Sequence, residues 1–222
     1  MNNIKDSLAR FLHRLGISAD FLTYSGLLLA FISAWFVYRG SFASAGVFLL
    51  FSGILDLLDG AVARASGKAG KFGGVLDSSL DRYGDAAVLG GALFFFTKSG
   101  QTFYAALSLS ALCGSFLISY VRARAECAIP KCKVGFWERG ERISYLCLGL
   151  LTGNLKWVII VLALFTHLTA FQRLLCTYWA EKGIKPGPGF KKWCMAEHDR
   201  ARISYFIKAV FWILLALFVR IS

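Results

Sequence analysis

Charged residues are scarce in this sequence, and acidic residues are the scarcest. Only 17% of the 222 residues are charged, with 13 acidic against 25 basic side chains, whereas 57% are hydrophobic. A soluble domain of this length cannot bury so much apolar surface, which excludes a soluble protein and indicates that lipid is the solvent. The net charge of +12 therefore lies in a few polar connections. Such connections favour an anionic membrane surface, and we expect no nucleic-acid partner.

Cysteine and histidine patterns that would hold a metal are also missing. The six cysteines are scattered and form no pair of CxxC motifs, which argues against a zinc site or a disulfide framework. The three histidines show no ligand spacing and are interpreted as bystanders. No cleavable signal is visible. Residues 1–16 instead carry apolar side chains at helical spacing, and we expect an amphipathic helix lying on the membrane surface.

Six apolar runs predict an all-α, polytopic membrane protein with six transmembrane helices, because about 20 residues cross a bilayer core. Their approximate bounds are residues 20–38, 42–65, 74–97, 102–125, 140–153 and 155–179. A basic segment follows, and then a last apolar stretch, 204–219, which is either a seventh span or an interfacial helix. We therefore divide the chain into an interfacial helix (1–16), a six-helix domain (17–180) and a C-terminal segment (181–222).

Lysine and arginine residues concentrate at the N-terminus and at the even-numbered connections between these helices. The alternate connections carry only Arg39, Lys98 and Lys156. By the positive-inside rule, the N-terminus and the even-numbered connections face the cytoplasm. We expect a multi-pass protein of the cell membrane, inner or plasma, whose polar residues next to the second connection face the cytoplasm.

Four aspartates lie at the ends of two neighbouring apolar runs. Asp56 and Asp59 are one helical turn apart near the end of the second predicted helix, and Asp77 and Asp81 are one turn apart at the start of the third. The short connection makes these helices antiparallel neighbours, so the four carboxylates can converge. Together they stay ionised only if cations neutralise them, and carboxylate oxygens favour Mg²⁺ or Mn²⁺. We therefore predict that two divalent cations, Mg²⁺ or Mn²⁺, bind there.

Two metal ions a few ångströms apart suit phosphoryl transfer, because they hold the attacking and leaving oxygens in line. Five glycines around the carboxylates would let a nucleotide approach the backbone closely. They are Gly60, Gly67, Gly70, Gly73 and Gly74. One alternative is that the aspartates only form ion pairs with Arg64 and Arg82, at high cost inside a membrane. A divalent-cation transporter is an alternative from another class, although the aspartates sit at one end of their helices rather than at the midplane.

The pattern DxxDGxxARx8Gx3Dx3D is complete in this sequence. Its fixed positions are Asp56, Asp59, Gly60, Ala63, Arg64, Gly73, Asp77 and Asp81. The pattern resembles the signature of the CDP-alcohol phosphotransferase family, also described as CDP-alcohol phosphatidyltransferase class I, and the resemblance covers roughly residues 17–180. It implies six transmembrane helices, a homodimer, a dinuclear metal site open to the cytoplasm and displacement of CMP from a CDP-linked donor.

The resemblance also implies roles for single residues. Asp56, Asp59 and Asp77 would bind metal, while Asp81 would both contact metal and act as the general base toward the attacking hydroxyl. The residues implied to line the CDP-donor pocket are Asp59, Gly60, Arg64, Gly70 and Gly73. Many relatives carry Thr or Ser in place of Gly70, whose backbone N–H would substitute for the hydroxyl. Many also have Pro and Asn where this chain has Ala19 and Asp20.

Arginines gather around the fourth predicted connection, from the end of the fourth helix to the start of the fifth, and near the end of the sixth. They are Arg122, Arg124, Arg139, Arg142 and Arg173. Such a cluster favours an anionic acceptor, a sugar or polyol phosphate, over a neutral alcohol. The alternative is that the arginines only follow the positive-inside rule and contact lipid head groups.

The segments SYxxARAE, ERxER and QRL around these arginines resemble the bacterial phosphatidylinositol phosphate synthases and the archaeal archaetidylinositol phosphate synthases. By that resemblance, Arg122, Arg142 and Arg173 would hold the phosphate of inositol 1-phosphate. The chain departs from the bacterial enzymes in having Arg122 where they have Lys and Gly140 where they have Pro.

The sequence therefore predicts a membrane enzyme of phospholipid synthesis. We expect it to transfer a phosphatidyl or archaetidyl group from CDP-diacylglycerol or CDP-archaeol to inositol 1-phosphate, with release of CMP. Glycerol 3-phosphate is an alternative acceptor, although the relatives that use it tend to follow the last aspartate with Lys rather than with Arg82. A soluble CDP-inositol donor is a further alternative.

Overall fold

The computed structural model describes residues 7, 10–12, 14–67, 70–129, 135 and 137–184, and every regular element among them is helical. Six helices have defined bounds. They are α1 (Ala19–Arg39), α2 (Phe42–Ala65), α3 (Lys71–Lys98), α4 (Thr102–Ala128), α5 (Arg139–Leu151) and α6 (Leu155–Lys182). Each end lies within about three residues of its predicted position, so the all-α fold is confirmed.

The two ends of the chain are described only in part. Residues 10–12 and 14 are helical, in the segment expected to form an interfacial helix. The predicted C-terminal apolar stretch, 204–219, lies outside the described residues. Of the four described cysteines, Cys113 and Cys127 are exposed and Cys147 and Cys176 are buried.

Local signals in the sequence explain where the helices start and stop. Ser18 caps α1 by accepting a hydrogen bond from the backbone N–H of Phe21 at 3.2 Å. Gly40 ends α1 in the left-handed region with φ 80°, a conformation that costs glycine least. At the start of α5, the backbone N–H of Glu138 donates to the carboxylate of Glu141 at 3.0 Å. Helix bounds therefore follow from caps that lie close in sequence.

Four helices, α1, α2, α4 and α6, are long and apolar enough to cross a membrane. Helix α3 has 28 residues but carries Asp77, Asp81, Arg82 and Asp85 within about two turns. Helix α5 has 13 residues, which at about 1.5 Å each falls short of a bilayer core of about 30 Å. The chain is thus an all-α, multi-pass membrane protein with four candidate spans among its described residues, and the count of six stays a prediction.

The chain divides into two compact units, Met1–Gln101 and Thr102–Ser222. The N-terminal unit contains α1, α2 and α3, and the C-terminal unit contains α4, α5 and α6. The division falls inside the predicted six-helix domain. It separates the helices that carry the aspartates from those that carry the arginines.

In the N-terminal unit, α1 packs against both α2 and α3, which share few close backbone contacts with each other. Two serine hydroxyls form hydrogen bonds between α1 and α2: Ser33 Oγ donates to the carbonyl oxygen of Ala45, and Ser52 Oγ donates to that of Gly26, both at 2.8 Å. Helix α3 approaches α1 closely at Gly91. The two aspartate-bearing helices are therefore held mainly by α1.

In the C-terminal unit, α6 is the helix against which both α4 and α5 pack. A side chain at Gly114 of α4 would overlap Thr166 of α6, so the absence of a Cβ allows this close approach. Trp137, just before α5, packs its ring against Tyr145 and Phe165, with centroid distances of 5.3 and 5.6 Å. These contacts fix the chain as it enters α5.

Candidate metal centre and arginine sites

Three of the four predicted aspartates meet in the N-terminal unit. One carboxylate oxygen from each of Asp56, Asp59 and Asp77 lies within 4.8 Å of the other two. Asp59 is buried with 5% of its surface exposed, and the other two are half-buried. Asp56 and Asp59 come from adjacent turns of α2, whereas Asp77 comes from the second turn of α3. The short connection between these helices thus brings the carboxylates together.

Asp81, the fourth predicted ligand, follows Asp77 by one turn of α3 and is not part of this group. Its Oδ2 atom lies 3.9 Å from Arg82 Nη1, and the same guanidinium nitrogen donates to the carbonyl oxygen of Ser78. A long contact between partly exposed charges is weak. Its roles as metal ligand and general base stay predictions.

One contact between an aspartate and an arginine is the 3.9 Å approach of Arg82 to Asp81. Ion pairing and cation binding by these aspartates are compatible, and the interpretation of the cluster as a metal site rests on its donor set.

The donor set of the cluster suits a hard divalent cation. Three carboxylates offer only oxygen ligands and negative charge, which Mg²⁺ and Mn²⁺ prefer. Oxygens on opposite sides of such an ion are about 4.2 Å apart, since each bond is about 2.1 Å long. The 4.8 Å grouping is close to that span. Like charges this close in a partly buried site stay ionised together only if a cation balances them.

Sequence analysis missed Thr23, which contacts the cluster from α1. Its hydroxyl donates to Oδ2 of Asp59 at 2.7 Å and lies 3.1 Å from the carbonyl oxygen of Ala19. The other carboxylate oxygen of Asp59, Oδ1, accepts from the backbone N–H of Gly60. The available signal was a hydroxyl in the second turn of an apolar helix, and such hydroxyls are common.

The glycines of the predicted CDP-donor pocket lie where α2 ends and α3 begins. Among the described residues, a Cβ at Gly60 would meet only the guanidinium of Arg64, at 3.4 Å, and a Cβ at Gly73 would meet no atom within 4 Å. Gly70 caps α3 in an extended conformation without a side-chain hydrogen bond. The first turn of α3 therefore presents backbone N–H groups that favour an anion. Binding of CDP by these residues stays a prediction.

The three predicted acceptor arginines lie in the C-terminal unit, one on each of its helices. Arg142 and Arg173 are buried, with 4% and 3% of their surfaces exposed. Arg173 Nη1 donates to the carbonyl oxygen of Ile118 at 2.7 Å, which is one turn before Arg122 on α4. A buried guanidinium is costly unless it is hydrogen-bonded or binds an anion. The burial of two arginines in one small unit is therefore a functional signal.

Arg122 differs from the two buried arginines. Its side chain is 42% exposed, and its Nε atom donates to Oε1 of Glu126 at 3.0 Å. Sequence analysis did not anticipate this ion pair, although the two residues are separated by one helical turn. It also missed Thr169 and Gln172, buried polar residues on α6 next to Arg173.

Comparisons with known proteins agree with this geometry. The sequence model of the family described as CDP-alcohol phosphatidyltransferase matches residues 17–180. The archaetidylinositol phosphate synthase of Pyrococcus horikoshii is 36% identical over 184 residues, which cover 82% of this chain and 93% of that protein. The phosphatidylinositol phosphate synthase of Mycobacterium bovis is 32% identical over 192 residues, or 81% and 88% of the two chains.

Solved structures give the same result. The crystal structure of Mycobacterium tuberculosis phosphatidylinositol phosphate synthase with CDP-DAG bound matches with a TM-score of 0.73 and 30% identity, covering 83% of this chain and 98% of that one. The structure of the same enzyme with manganese and citrate also has a TM-score of 0.73, covering 82% and 92%.

The fold and the carboxylate site thus define a membrane-embedded, metal-dependent transferase. The chain belongs to the CDP-alcohol phosphatidyltransferase family. It is a CDP-alcohol phosphotransferase, and the cation-transporter alternative is wrong.

Proposed function

We propose that this chain transfers a phosphatidyl or archaetidyl group from a CDP-linked lipid to inositol 1-phosphate and releases CMP, with Mg²⁺ or Mn²⁺ as cofactor. The observation that carries the proposal is the meeting of the Asp56, Asp59 and Asp77 oxygens within 4.8 Å of one another. The names of the relatives support the acceptor: two of those described above make the inositol phosphate lipids of archaea and bacteria.

The proposed reaction makes and breaks one bond at the lipid-side phosphorus. The acceptor hydroxyl oxygen forms a bond to that phosphorus, and the bond to the bridging oxygen breaks, so that CMP leaves with the electron pair. Asp81 accepts the proton of the attacking hydroxyl. Bound divalent cations, two in this proposal, supply positive charge that stabilises the diphosphate and the leaving CMP.

Binding of the donor is assigned to the segment that joins α2 and α3. Asp59, Gly60, Arg64, Gly70 and Gly73 belong to it. Arg64 supplies positive charge to the diphosphate, and the uncapped N–H groups at the start of α3 supply hydrogen bonds. No described residue lies within 4 Å of a Cβ at Gly73, which leaves room for the nucleotide on that side.

Binding of the acceptor phosphate is assigned to Arg122, Arg142 and Arg173. A guanidinium group offers two parallel N–H donors that match two phosphate oxygens. The buried Arg142 and Arg173 are held by their surroundings, so they lose little side-chain entropy when a phosphate binds. When the phosphate binds, Arg122 leaves its exposed ion pair with Glu126 and contacts the phosphate instead.

For the membrane arrangement we propose six spans, including the polar α3 and the short α5, with the aspartates facing the cytoplasm. The basic residues at the N-terminus and at the even-numbered connections support this orientation. We also propose an interfacial helix at 1–16, a catalytic domain at 17–180 and a C-terminal segment at 181–222. The family resemblance supports a homodimer.

The test is a transfer assay with the purified full-length protein in the presence of Mn²⁺ or Mg²⁺. CDP-diacylglycerol and CDP-archaeol are offered as donors, and inositol 1-phosphate, glycerol 3-phosphate, free inositol and serine as acceptors. We expect CMP release and a lipid product with inositol 1-phosphate alone, and none with Asp81→Asn as the blank. Product only with another acceptor would keep the metal chemistry and refute the assignment of the arginines.

A further inference from the structure

We propose that Thr23 is a positioning residue of the metal centre, whose hydroxyl fixes the carboxylate of Asp59 in the orientation that binds a cation. The inference rests on the proposed function, because it assumes that Asp59 is a metal ligand. It extends the site to α1, a helix to which the sequence assigned no functional residue.

The hydrogen bonds of Asp59 leave room for a cation. Oδ2 accepts from the Thr23 hydroxyl at 2.7 Å, and Oδ1 accepts from the backbone N–H of Gly60. A carboxylate oxygen has two lone pairs, so each oxygen keeps one for a metal ion. With a donor on both oxygens, the carboxylate plane cannot rotate freely about its last torsion. Asp59 is also the most buried member of the cluster, so water replaces these donors poorly.

The Thr23 hydroxyl has a second acceptor within reach, the carbonyl oxygen of Ala19 on its own helix at 3.1 Å. The single hydroxyl proton favours Asp59, because the carboxylate is nearer and carries charge, and such hydrogen bonds are shorter and stronger. The Thr23 hydroxyl therefore donates from α1 to the carboxylate on α2 rather than to the backbone of its own helix. Hydrogen bonds to metal-bound carboxylates orient the ligand, and losing one costs about 10–100-fold in metal affinity.

Helix α1 is well suited to this role because it is fixed to α2 at two further points. Ser33 and Ser52 form hydrogen bonds between the two helices, at Ala45 and Gly26 respectively. Thr23 lies at the end of α1 that is close to the aspartates, and Ser33 lies toward the opposite end. Ser33 therefore provides a matched control: its hydroxyl also joins α1 to α2, but it contacts no carboxylate.

The test measures Mn²⁺ affinity of the full-length protein without substrate, from the electron paramagnetic resonance signal of free Mn²⁺. We expect Thr23→Val to weaken Mn²⁺ binding about 10–100-fold. Thr23→Ser retains the hydroxyl and should stay within about threefold of the wild type. Ser33→Ala should lower the melting temperature but leave Mn²⁺ affinity unchanged. In the transfer assay, Thr23→Val should regain most of its activity at high Mn²⁺.

Three results would overturn the proposal. One is wild-type Mn²⁺ affinity in Thr23→Val, and another is a loss in Thr23→Ser as large as in Thr23→Val, which would indicate packing of the methyl group. The third is Mn²⁺ binding that Asp59→Asn leaves unchanged, which would also remove the proposed metal site. If Mn²⁺ binding follows the expected order but inositol 1-phosphate gives no product, the role of Thr23 holds and the proposed acceptor fails.

Discussion

The two units of this protein carry their functional charges in different ways. In the N-terminal unit, Asp56, Asp59 and Asp77 come from two helices joined by a short connection, and their oxygens already lie within 4.8 Å of one another. In the C-terminal unit, the three arginines come from three helices, and two of them are buried. The aspartates that meet are close along the chain, on two helices that have α1 as a common neighbour. The arginines are farther apart along the chain, and the burial of Arg142 and Arg173 depends on long-range packing.

The units also differ in how their helices are held together. Helix α1 joins α2 and α3 in the N-terminal unit, whereas α6 joins α4 and α5 in the C-terminal unit. At the closest approach of α1 and α3, a Cβ at Gly91 would lie 2.5 Å from the backbone carbonyl oxygen of Ala34. Between α4 and α6, the obstacle to a Cβ at Gly114 is the side chain of Thr166. A mutation can shorten a side chain, but it cannot remove a backbone carbonyl oxygen.

The largest expected effect is the loss of a carboxylate from the cluster. Asp77→Asn should lower the rate of transfer by about 10³-fold or more, because a cation ligand that supports several kcal/mol of transition-state stabilisation is lost. CMP release and Mn²⁺ binding are the measurements. Glu181→Gln, an exposed carboxylate at the end of α6, is the control. Undiminished Mn²⁺ binding in Asp77→Asn would contradict the metal centre.

The arginines of the C-terminal unit should affect the acceptor and leave the metal untouched. Arg142→Lys keeps the charge but loses the planar pair of donors, and we expect the KM for inositol 1-phosphate to rise about 10-fold. Mn²⁺ affinity should not change. Arg39→Lys, at the end of α1 where the guanidinium lies 5.3 Å from the Trp35 ring centroid, is the matched control. A loss of Mn²⁺ binding in Arg142→Lys would mean that metal binding and acceptor binding are not separated between the two units.

The glycine contacts distinguish the packing of the two units. Gly91→Ala and Gly114→Ala should each lower the free energy of unfolding by about 1–3 kcal/mol, because both add a methyl group where there is no space. Adding Thr166→Ala should restore much of the stability of Gly114→Ala, since the side chain in the way has been shortened. Adding Ala34→Gly should not restore Gly91→Ala, because the carbonyl oxygen stays in place. Thermal unfolding in detergent measures the stability of all four variants. If Ala34→Gly restored the stability of Gly91→Ala as much as Thr166→Ala restores that of Gly114→Ala, the difference in packing between the two units would be refuted.

The smallest expected effect concerns Glu126, the partner of Arg122. Both side chains are about 40% exposed, so the ion pair contributes only about 0.2–1 kcal/mol. Glu126→Gln should release Arg122 for the acceptor and lower the KM for inositol 1-phosphate by up to about fivefold, with a loss of stability of at most about 1 kcal/mol. The difference should shrink in high salt. Glu181→Gln controls for the loss of one negative charge, and a raised KM in Glu126→Gln would show that Glu126 assists the acceptor.

Much of the fold could be predicted from the sequence because apolar runs, and the caps and charges at their ends, involve residues that are close together along the chain. The bounds of α1 and α2 follow from Ser18, Gly40 and the charges around Arg64. The carboxylate cluster was predicted in part: one-turn spacing on two neighbouring helices predicted that four aspartates converge, and Asp56, Asp59 and Asp77 do so, whereas Asp81 is not part of the group. Helices α3 and α5 were harder to classify as spans, because one carries charge and the other is short.

The amino-acid sequence by itself determined the helices, the family signature and the placing of four aspartates at the ends of two neighbouring helices; that Asp56, Asp59 and Asp77 meet without Asp81 was decided by the tertiary structure. Tertiary structure alone decided that Thr23 contacts Asp59, that Arg173 reaches the backbone of α4, and that Arg122 is exposed while its counterparts are buried. The physical reason is the range of the interactions. Helix formation and one-turn contacts depend on residues a few positions apart, whereas a hydroxyl or guanidinium finds its partner only after distant helices have packed.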